Sequence, residues 1–440
     1  MMAALAVVSA FDAGMARAAG YQVVTQSTSV LGSAQAGMTA GPYDLTRLSL
    51  NPAALGLGSG LEIAGNVTGI SASQTMRDSV GTTTLGTPLG GGTGGDSGGL
   101  FGLPSFYAGY SLDERTRIGL GVTSYFGLGT KWDAGWQGRY FAGSSSLAVL
   151  DITPVISFRP APSLIIAGGP VFEYTRTKTN TTIDFGTLDT LQTGGAFGGV
   201  PGGSDGTLAT RTTSWAAGFI LGATYEPLDG TRVGLAYRSE LRHGQRGTAD
   251  FTLGGATGQA LAAASGAFAD TNIRSGLDNP ATFTVGLSQQ ITPALTLFAD
   301  ARRTFWSSVK DLTLSFENPA NPQAVTVLDL RDSWFLTQGG RYQIDERFAI
   351  RAGAAYDAAA TRTPTRGPIL AENTSYWLAA GLEAQLSESL RIDFAIGHRF
   401  MADAPVSLSS NQTGNEIRGN LRGTARTSAD FAAIQVAWRF

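Results

Sequence analysis

The chain has 440 residues with 59 glycines, no cysteine, 15% charged residues and a net charge of −3. Without cysteine there is no disulfide framework and no thiolate metal centre, and the near-neutral balance leaves no electrostatic footprint for nucleic acid. Charged residues fall below the roughly 25% of soluble domains and glycine stands far above its usual share of about 7%, while a mean hydropathy of +0.03 is too polar for a bundle of membrane helices.

Residues 3 to 11 form a short apolar run, and Ala16-Arg17-Ala18 is an A-x-A cleavage site, so 1–18 reads as a signal peptide and the mature, exported chain starts at Ala19. The usual basic flank ahead of the run is missing. Residues 19–60 are small, weakly amphipathic and lightly charged, and lead into Asn51-Pro52-Ala53-Ala54-Leu55. A segment so poor in large apolar residues holds no core of its own. It needs a container, and 61–440 supplies one, so 19–60 is expected to be a hatch that plugs a barrel.

From residue 61 onward the pattern is alternation. Val233, Leu235 and Tyr237 alternate with Arg232, Gly234, Ala236 and Arg238; Phe283, Val285 and Leu287 alternate with Thr282, Thr284 and Ser288; Leu390, Ile392, Phe394 and Ile396 alternate with Arg391 and Asp393. Residues i and i+2 share a strand face, so each segment has a greasy face and a polar one. Fourteen strands are expected, at 61–76, 102–113, 115–129, 145–160, 162–184, 211–227, 231–252, 280–291, 294–316, 325–344, 347–361, 375–387, 390–402 and 424–440. They are long enough to cross a bilayer at a tilt. Tight turns such as Leu112-Asp113-Glu114-Arg115 and Pro227-Leu228-Asp229-Gly230 alternate with long loops at 77–101, 130–144, 185–210, 253–279, 362–374 and 403–423. Short turns on one side and long loops on the other mark an outer-membrane barrel, and the last strand closes on aromatic Phe440. The fold class is thus all-β: a transmembrane antiparallel β-barrel of fourteen strands with an N-terminal hatch. The Gly/Ala/Ser-rich stretch 252–269 suits a loop with a weak helical turn. Trp132, Trp136, Tyr140, Trp306, Trp334 and Trp377 lie near strand ends and fit an interfacial girdle.

Catalytic motifs are weak. Gly90–Gly95 fits G-x-G-x-x-G without a βαβ context, and Gly202-Gly203-Ser204-Asp205-Gly206 fits G-x-S-x-G without the strand and helix of a nucleophile elbow. The two histidines, His243 and His398, fall on separate strands, and no metal-ligand spacing occurs.

Several short motifs in order carry a resemblance: Gln26-Ser27-Thr28-Ser29, Gly32-Ser33-Ala34-Gln35-Ala36-Gly37, Asp44 seven residues before Asn51-Pro52-Ala53, Phe126-Gly127-Leu128-Gly129-Thr130-Lys131-Trp132, Trp136-Gln137-Gly138-Arg139-Tyr140, Tyr225-Glu226-Pro227 and Tyr237-Arg238-Ser239-Glu240. Together they resemble the FadL/TodX outer-membrane transporters of long-chain fatty acids and hydrocarbons over nearly the whole mature chain. Val30, and Gly41-Pro42-Tyr43, depart from that pattern. The resemblance implies a plugged fourteen-stranded barrel in the bacterial outer membrane. It also implies passive uptake of fatty acids, or of aromatic hydrocarbons, through a lateral opening where the third strand kinks. On that basis Asn51, Pro52 and Ala53 are expected to latch the hatch to the wall at the kink. Phe126, Gly127, Leu128 and Gly129 would form the kink itself, since glycines inside a strand mark a bulge or a close backbone approach. Trp132, Trp136, Tyr140 and Phe141 would offer an exposed aromatic patch that collects ligand, and Arg139, Arg211 and Arg238 are candidates to meet a carboxylate. The expected partners are a hydrophobic ligand, outer-membrane lipid and lipopolysaccharide; no cofactor, metal or chemistry is expected, and a closed barrel is expected to work as a monomer. The alternatives are an outer-membrane lipid hydrolase using Ser204 with a histidine, and a general polar porin.

Overall fold

The computed structural model describes residues 20–440 apart from Val24; the signal peptide expected over 1–18 lies outside the described residues. Burial follows the period-two pattern with the sense of a soluble protein reversed. On the segment Thr282–Gln290, Phe283, Val285 and Leu287 are exposed while Thr282, Thr284 and Ser288 are buried. Phe394, Ile396 and Phe400 face out while Asp393 and Arg399 face in. A greasy outside and a polar inside suit hydrocarbon solvent, where every backbone N–H must find a partner within the chain.

The strands meet that demand by closing into a ring: β1 (Leu61–Thr82), β2 (Gly99–Ser111), β3 (Thr116–Thr123 and Gly127–Lys131), β4 (Ser144–Ala161), β5 (Leu164–Asp184), β6 (Asp205–Leu228), β7 (Thr231–Arg238 and Gly244–Thr252), β8 (Thr271–Gly276 and Thr282–Gln290), β9 (Leu295–Thr304 and Asp311–Phe316), β10 (Ala324–Val327 and Ser333–Gln343), β11 (Phe348–Asp357), β12 (Ser375–Gln385), β13 (Leu390–Met401 and Ala404–Leu408) and β14 (Asn420–Arg439). Each pairs antiparallel with the next. β14 returns to β1 from Glu62↔Arg439 to Thr82↔Asn420, with a bulge between Arg77 and Val80. The fourteen strands are those expected from the alternation. Six are interrupted, four of them (β3, β7, β9 and β10) inside stretches expected as single strands, while the first part of β8 and the last part of β13 fall in stretches expected as loops. The long loops carry more structure than expected: α1 (Phe185–Thr193) is capped by Asp184 and ends on Gly194 at φ +74°, and α2 is an eleven-residue helix, Gly255–Ser265, ending on Gly266 at φ +70°.

Residues 20–60 bond to strands on all sides of the ring and so lie in its bore. Thr28 N donates to Gln435 Oε1 of β14 at 3.1 Å, Thr337 Oγ1 of β10 donates to Ala34 O at 2.7 Å, and Arg391 of β13 pairs with Asp44 at 2.9 Å. The segment is a set of capped turns: Thr28–Leu31 behind Ser27, Leu45–Ser49 behind Asp44, and Pro52–Leu57 behind Asn51 with Pro52 at the first position. Asp44 also joins a buried ladder of charge along the wall. Arg391 meets Asp393 at 3.0 Å, Arg351 meets Asp393 at 2.6 Å and also meets Glu383, and Arg341 meets Glu383 at 2.8 Å. Fully paired buried charges avoid the several kcal/mol that an isolated ion would lose on desolvation.

Asp300 of β9 is a single pin for the middle of this segment. It accepts from Gly37 N at 2.6 Å, Thr39 N at 3.0 Å and Thr39 Oγ1 at 2.6 Å. Hydrogen bonds to a charged group contribute about 1.5–3 kcal/mol each. Asp300→Ala should leave a barrel that still migrates as folded in an unheated gel, while residues 20–60 become cleavable by protease. Digestion at the wild-type rate would show that the pin is dispensable.

Candidate functional site: a break in the wall beside an apolar cavity

The ladder between β2 and β3 runs from Ser111↔Arg117 to Phe106↔Val122 and stops. β3 then breaks over Ser124–Phe126, and its outer half, Gly127–Lys131, pairs with β4. Residues Gly99–Ser105 of β2 pair with β1 alone among the described residues. The wall is joined again at Lys131 N, which donates to Ser97 O at 3.0 Å. The edge that β3 frees is taken up by the start of the hatch: Val23 N donates to Tyr125 O at 2.9 Å, Gly127 N donates to Tyr21 O at 2.8 Å, and Gln26 Nε2 donates to Ser124 O at 2.7 Å. The freed edge of β3 is thereby satisfied although the sheet is not continuous.

Three rings close over this point. Tyr21 sits 4.9 Å from Trp306 and 5.7 Å from Phe126, and Phe126 is 6.2 Å from Trp306, edge to face. Gly20, at φ +62°, passes against Trp306 so closely that a methyl there would lie 2.5 Å from its ring. Above them, toward the long loops, is a cavity of about 520 Å3 walled by Tyr21, Leu128, Leu147, Leu277, Phe251 and Phe316. A second cavity of about 340 Å3 shares Phe141, Leu312, Leu328, Ile369 and Leu370 with it. These sizes fall in the range of small-molecule sites.

The expected site residues separate. Phe126 and Leu128 are buried, at the break and in the cavity wall, and Gly127 carries the bond to Tyr21; Gly129 pairs with Ser146 of β4. Asn51 and Pro52 meet the wall at β6 rather than at the kink, and Ala53 N donates to Asn51 Oδ1. Asn51 Nδ2 donates to Thr39 O at 2.8 Å and Ala223 O at 3.3 Å, with Pro52 against Gly222. The break in β3 is bonded instead by Tyr21, Val23 and Gln26. The aromatic patch is not exposed. Trp132 and Trp136 stack at 4.5 Å inside the loop, Trp136 Nε1 donates to Ala142 O at 2.7 Å, and Tyr140 and Phe141 face the cavity. A loop that buries its own rings gives up an outer patch but gains rigid walls. Trp306 and Trp377 are likewise buried in the bore rather than at the membrane interface; Trp334 is exposed.

The candidate arginines are engaged or face elsewhere. Arg139 pairs with Asp205 at 2.7 Å, beside the Tyr140 hydroxyl that donates to the same carboxylate at 2.6 Å. Arg238 pairs with Asp151 at 2.8 Å and Glu173 at 3.0 Å and lies 4.7 Å from the Tyr125 ring. Arg211 is exposed on β6. Ser204 Oγ accepts from Val200 N at 3.3 Å, and His398 pairs with exposed Asp430 at 2.7 Å. His243 bonds Ser214 at 2.8 Å and Glu173 at 2.8 Å, an order that resembles a nucleophile, base and acid. Glu173 is shared with Arg238 and Asn279, and Ser214 with Thr175 of the next strand, so the group is a cross-strand network in the bore. Sequence reading missed Tyr21, Trp306, Gly222 and Asp300, since none stands in a motif and each acts on a residue far away in the chain.

A profile of the family described as outer membrane protein transport protein (OMPP1/FadL/TodX) matches residues 9–440. The chain is 24% identical to an outer membrane protein of Neisseria meningitidis serogroup B, over 98% of this chain and 97% of the relative. It is 21% identical to the long-chain fatty acid transport protein of Escherichia coli (strain K12), over 96% of each. The crystal structure of a Pseudomonas aeruginosa FadL homologue superposes with a TM-score of 0.88 at 24% identity, covering 96% of this chain and all of that one, a likeness of fold.

Gly222 gives the latch a direct test. A methyl there would collide with Asn51 Oδ1 and lie 2.7 Å from Pro52 Cδ. Gly222→Val should lower thermal stability by about 1–3 kcal/mol, the usual size of an overpacked contact, and expose residues 20–60 to protease. A wild-type melting curve would place the latch elsewhere.

Proposed function

The chain belongs to the outer membrane transport family OMPP1/FadL/TodX, and we propose that it admits long-chain fatty acids by passive diffusion, from the apolar cavity past the hatch and sideways through the break between β2 and β3. Transport of hydrophobic molecules across the outer membrane is the family's function, and no catalytic step is needed for it. The observation that carries the lateral route is the adjacency of the two features: an apolar cavity of about 520 Å3 ends at Tyr21 and Leu128, where the β2–β3 ladder is interrupted. A cargo that leaves through the wall enters bilayer without crossing water, so the gain from burying its chain is kept throughout. A bore closed by charge ladders would offer it nothing comparable.

In this reading residues 20–60 are the gate. Movement of Tyr21 away from Phe126 and Trp306 joins cavity to break, and the Asn51-Pro52-Ala53 latch on β6 holds the rest of the hatch in register. The long loops face lipopolysaccharide. The closed ring works as a monomer.

Radiolabelled oleate uptake, in cells lacking their own transporter and expressing this chain, tests the proposal. Asn51→Ala and Gly127→Leu should each slow the initial rate about tenfold, equivalent to about 1.4 kcal/mol on the barrier, with unchanged amounts of folded barrel in the outer membrane. Wild-type rates in both variants would remove the lateral route. Uptake of toluene but not oleate would assign the cavity to aromatic hydrocarbons.

A further inference from the structure

The two cargo classes differ at one end: a fatty acid carries a carboxylate and a hydrocarbon carries no charge. The question is therefore which cation the cavity offers. Among the described residues lining the two cavities, Arg418 is the sole lysine, arginine or histidine, and it lines both. It comes from the loop between β13 and β14, in a turn where Arg418 N donates to Asn415 O at 2.9 Å and which is bounded by Gly414 and Gly419 at φ +82° and +84°. The side chain reaches across to β10, where Nη1 donates to Thr326 Oγ1 at 3.1 Å.

Arg418 contrasts with the arginines already described. Arg139, Arg238, Arg351 and Arg391 each hold a carboxylate, whereas Arg418 has no ion-pair partner among the described residues. Glu416, two residues away, is exposed and lines the larger cavity as well. Partial desolvation pulls the Arg418 pKa below its ordinary value and Glu416 offsets part of that; the group stays charged at neutral pH. A guanidinium has five donors in a planar fork. Arg418 is half-buried, and its one bond to a threonine leaves donors facing the cavity and free to meet a ligand.

We propose that Arg418 is the head-group anchor of this channel: a carboxylate-bearing amphiphile docks with its head on the Arg418 guanidinium and its tail in the cavity, pointing toward Tyr21 and Leu128. This rests on the transport reading and deepens it, because it makes the cavity selective for long-chain acids over hydrocarbons of the same length. The fork matches a carboxylate with two parallel N–H donors. The tail-first pose delivers the chain to the break in the wall, and head-group release from Arg418 becomes the last contact on the outer side.

Equilibrium binding of radiolabelled oleate and of oleyl alcohol to the purified barrel in lipid nanodiscs at pH 8 is the test, with Arg418→Met and Arg418→Lys checked for heat-modifiable gel mobility. Arg418→Met should weaken oleate about tenfold, the size of a charged hydrogen bond, and change oleyl alcohol by less than about twofold on the same scale, with Arg418→Lys recovering most of the loss. Equal loss for both ligands, or none for oleate, overturns the anchor while leaving the channel reading in place. A wild type that binds neither ligand overturns both.

Discussion

A barrel in lipid has to satisfy every backbone N–H and C=O from within its own chain, and the rest of this structure follows from how it does so. Thirteen sequential pairings and the β1–β14 seam form a ring whose outward residues are Phe, Leu, Ile and Tyr and whose inward residues carry the charge. The break between β2 and β3 is the place where that rule is met by other means. There the hatch residues Tyr21 and Val23 supply the bonds that β2 does not. The same few residues therefore complete the edge of β3 and fill the break beside it. In the proposed route they would be the gate as well.

The bore is polar where it grips the hatch and apolar where it faces the outer cavity. Asp300, Gln435, Arg391 and Arg117 hold residues 28 to 60 through backbone groups and caps, so the hatch needs no core. Above it the lining changes to Leu128, Leu147, Phe251 and Phe316. The boundary between the two regimes is the Tyr21–Phe126–Trp306 cluster, aromatic on its faces and tied by the Tyr21 hydroxyl to Asp278 O at 2.6 Å. An amphipathic ring is suited to such a border because it packs against either side.

Strand number, ring closure and the inside-out polarity were legible in the sequence because each depends only on the period of two within a segment. Residues such as Phe283, Val285 and Leu287 carry that signal locally. The interruptions inside β7, β9 and β10 were not legible: within the break at 239–243, Leu241 is still bridged to Asn279, a pairing between residues 38 positions apart that neither neighbourhood announces. The tryptophans misled for a related reason. An aromatic near a strand end reads as a membrane girdle, and only the fold tells that Trp306 and Trp377 point into the bore. The capped turn at Asn51-Pro52 was legible locally, but the strand it meets was not, because the glycine it packs against, Gly222, lies 171 residues downstream. Arg418 stood in a loop with no local feature to separate it from Arg422 or Arg426; its distinction is the company it keeps in space.

The seam that closes the ring joins the beginning of the chain to its end, and Thr28 is bonded to Gln435 across 407 positions. The hatch is thus tied to the strand that seals the cylinder. β14 therefore has two duties at once, pairing with β1 and holding Thr28 and Asp44 of the hatch through Gln435. Undoing that one seam would open the ring and cast off the Thr28 mooring in the same event.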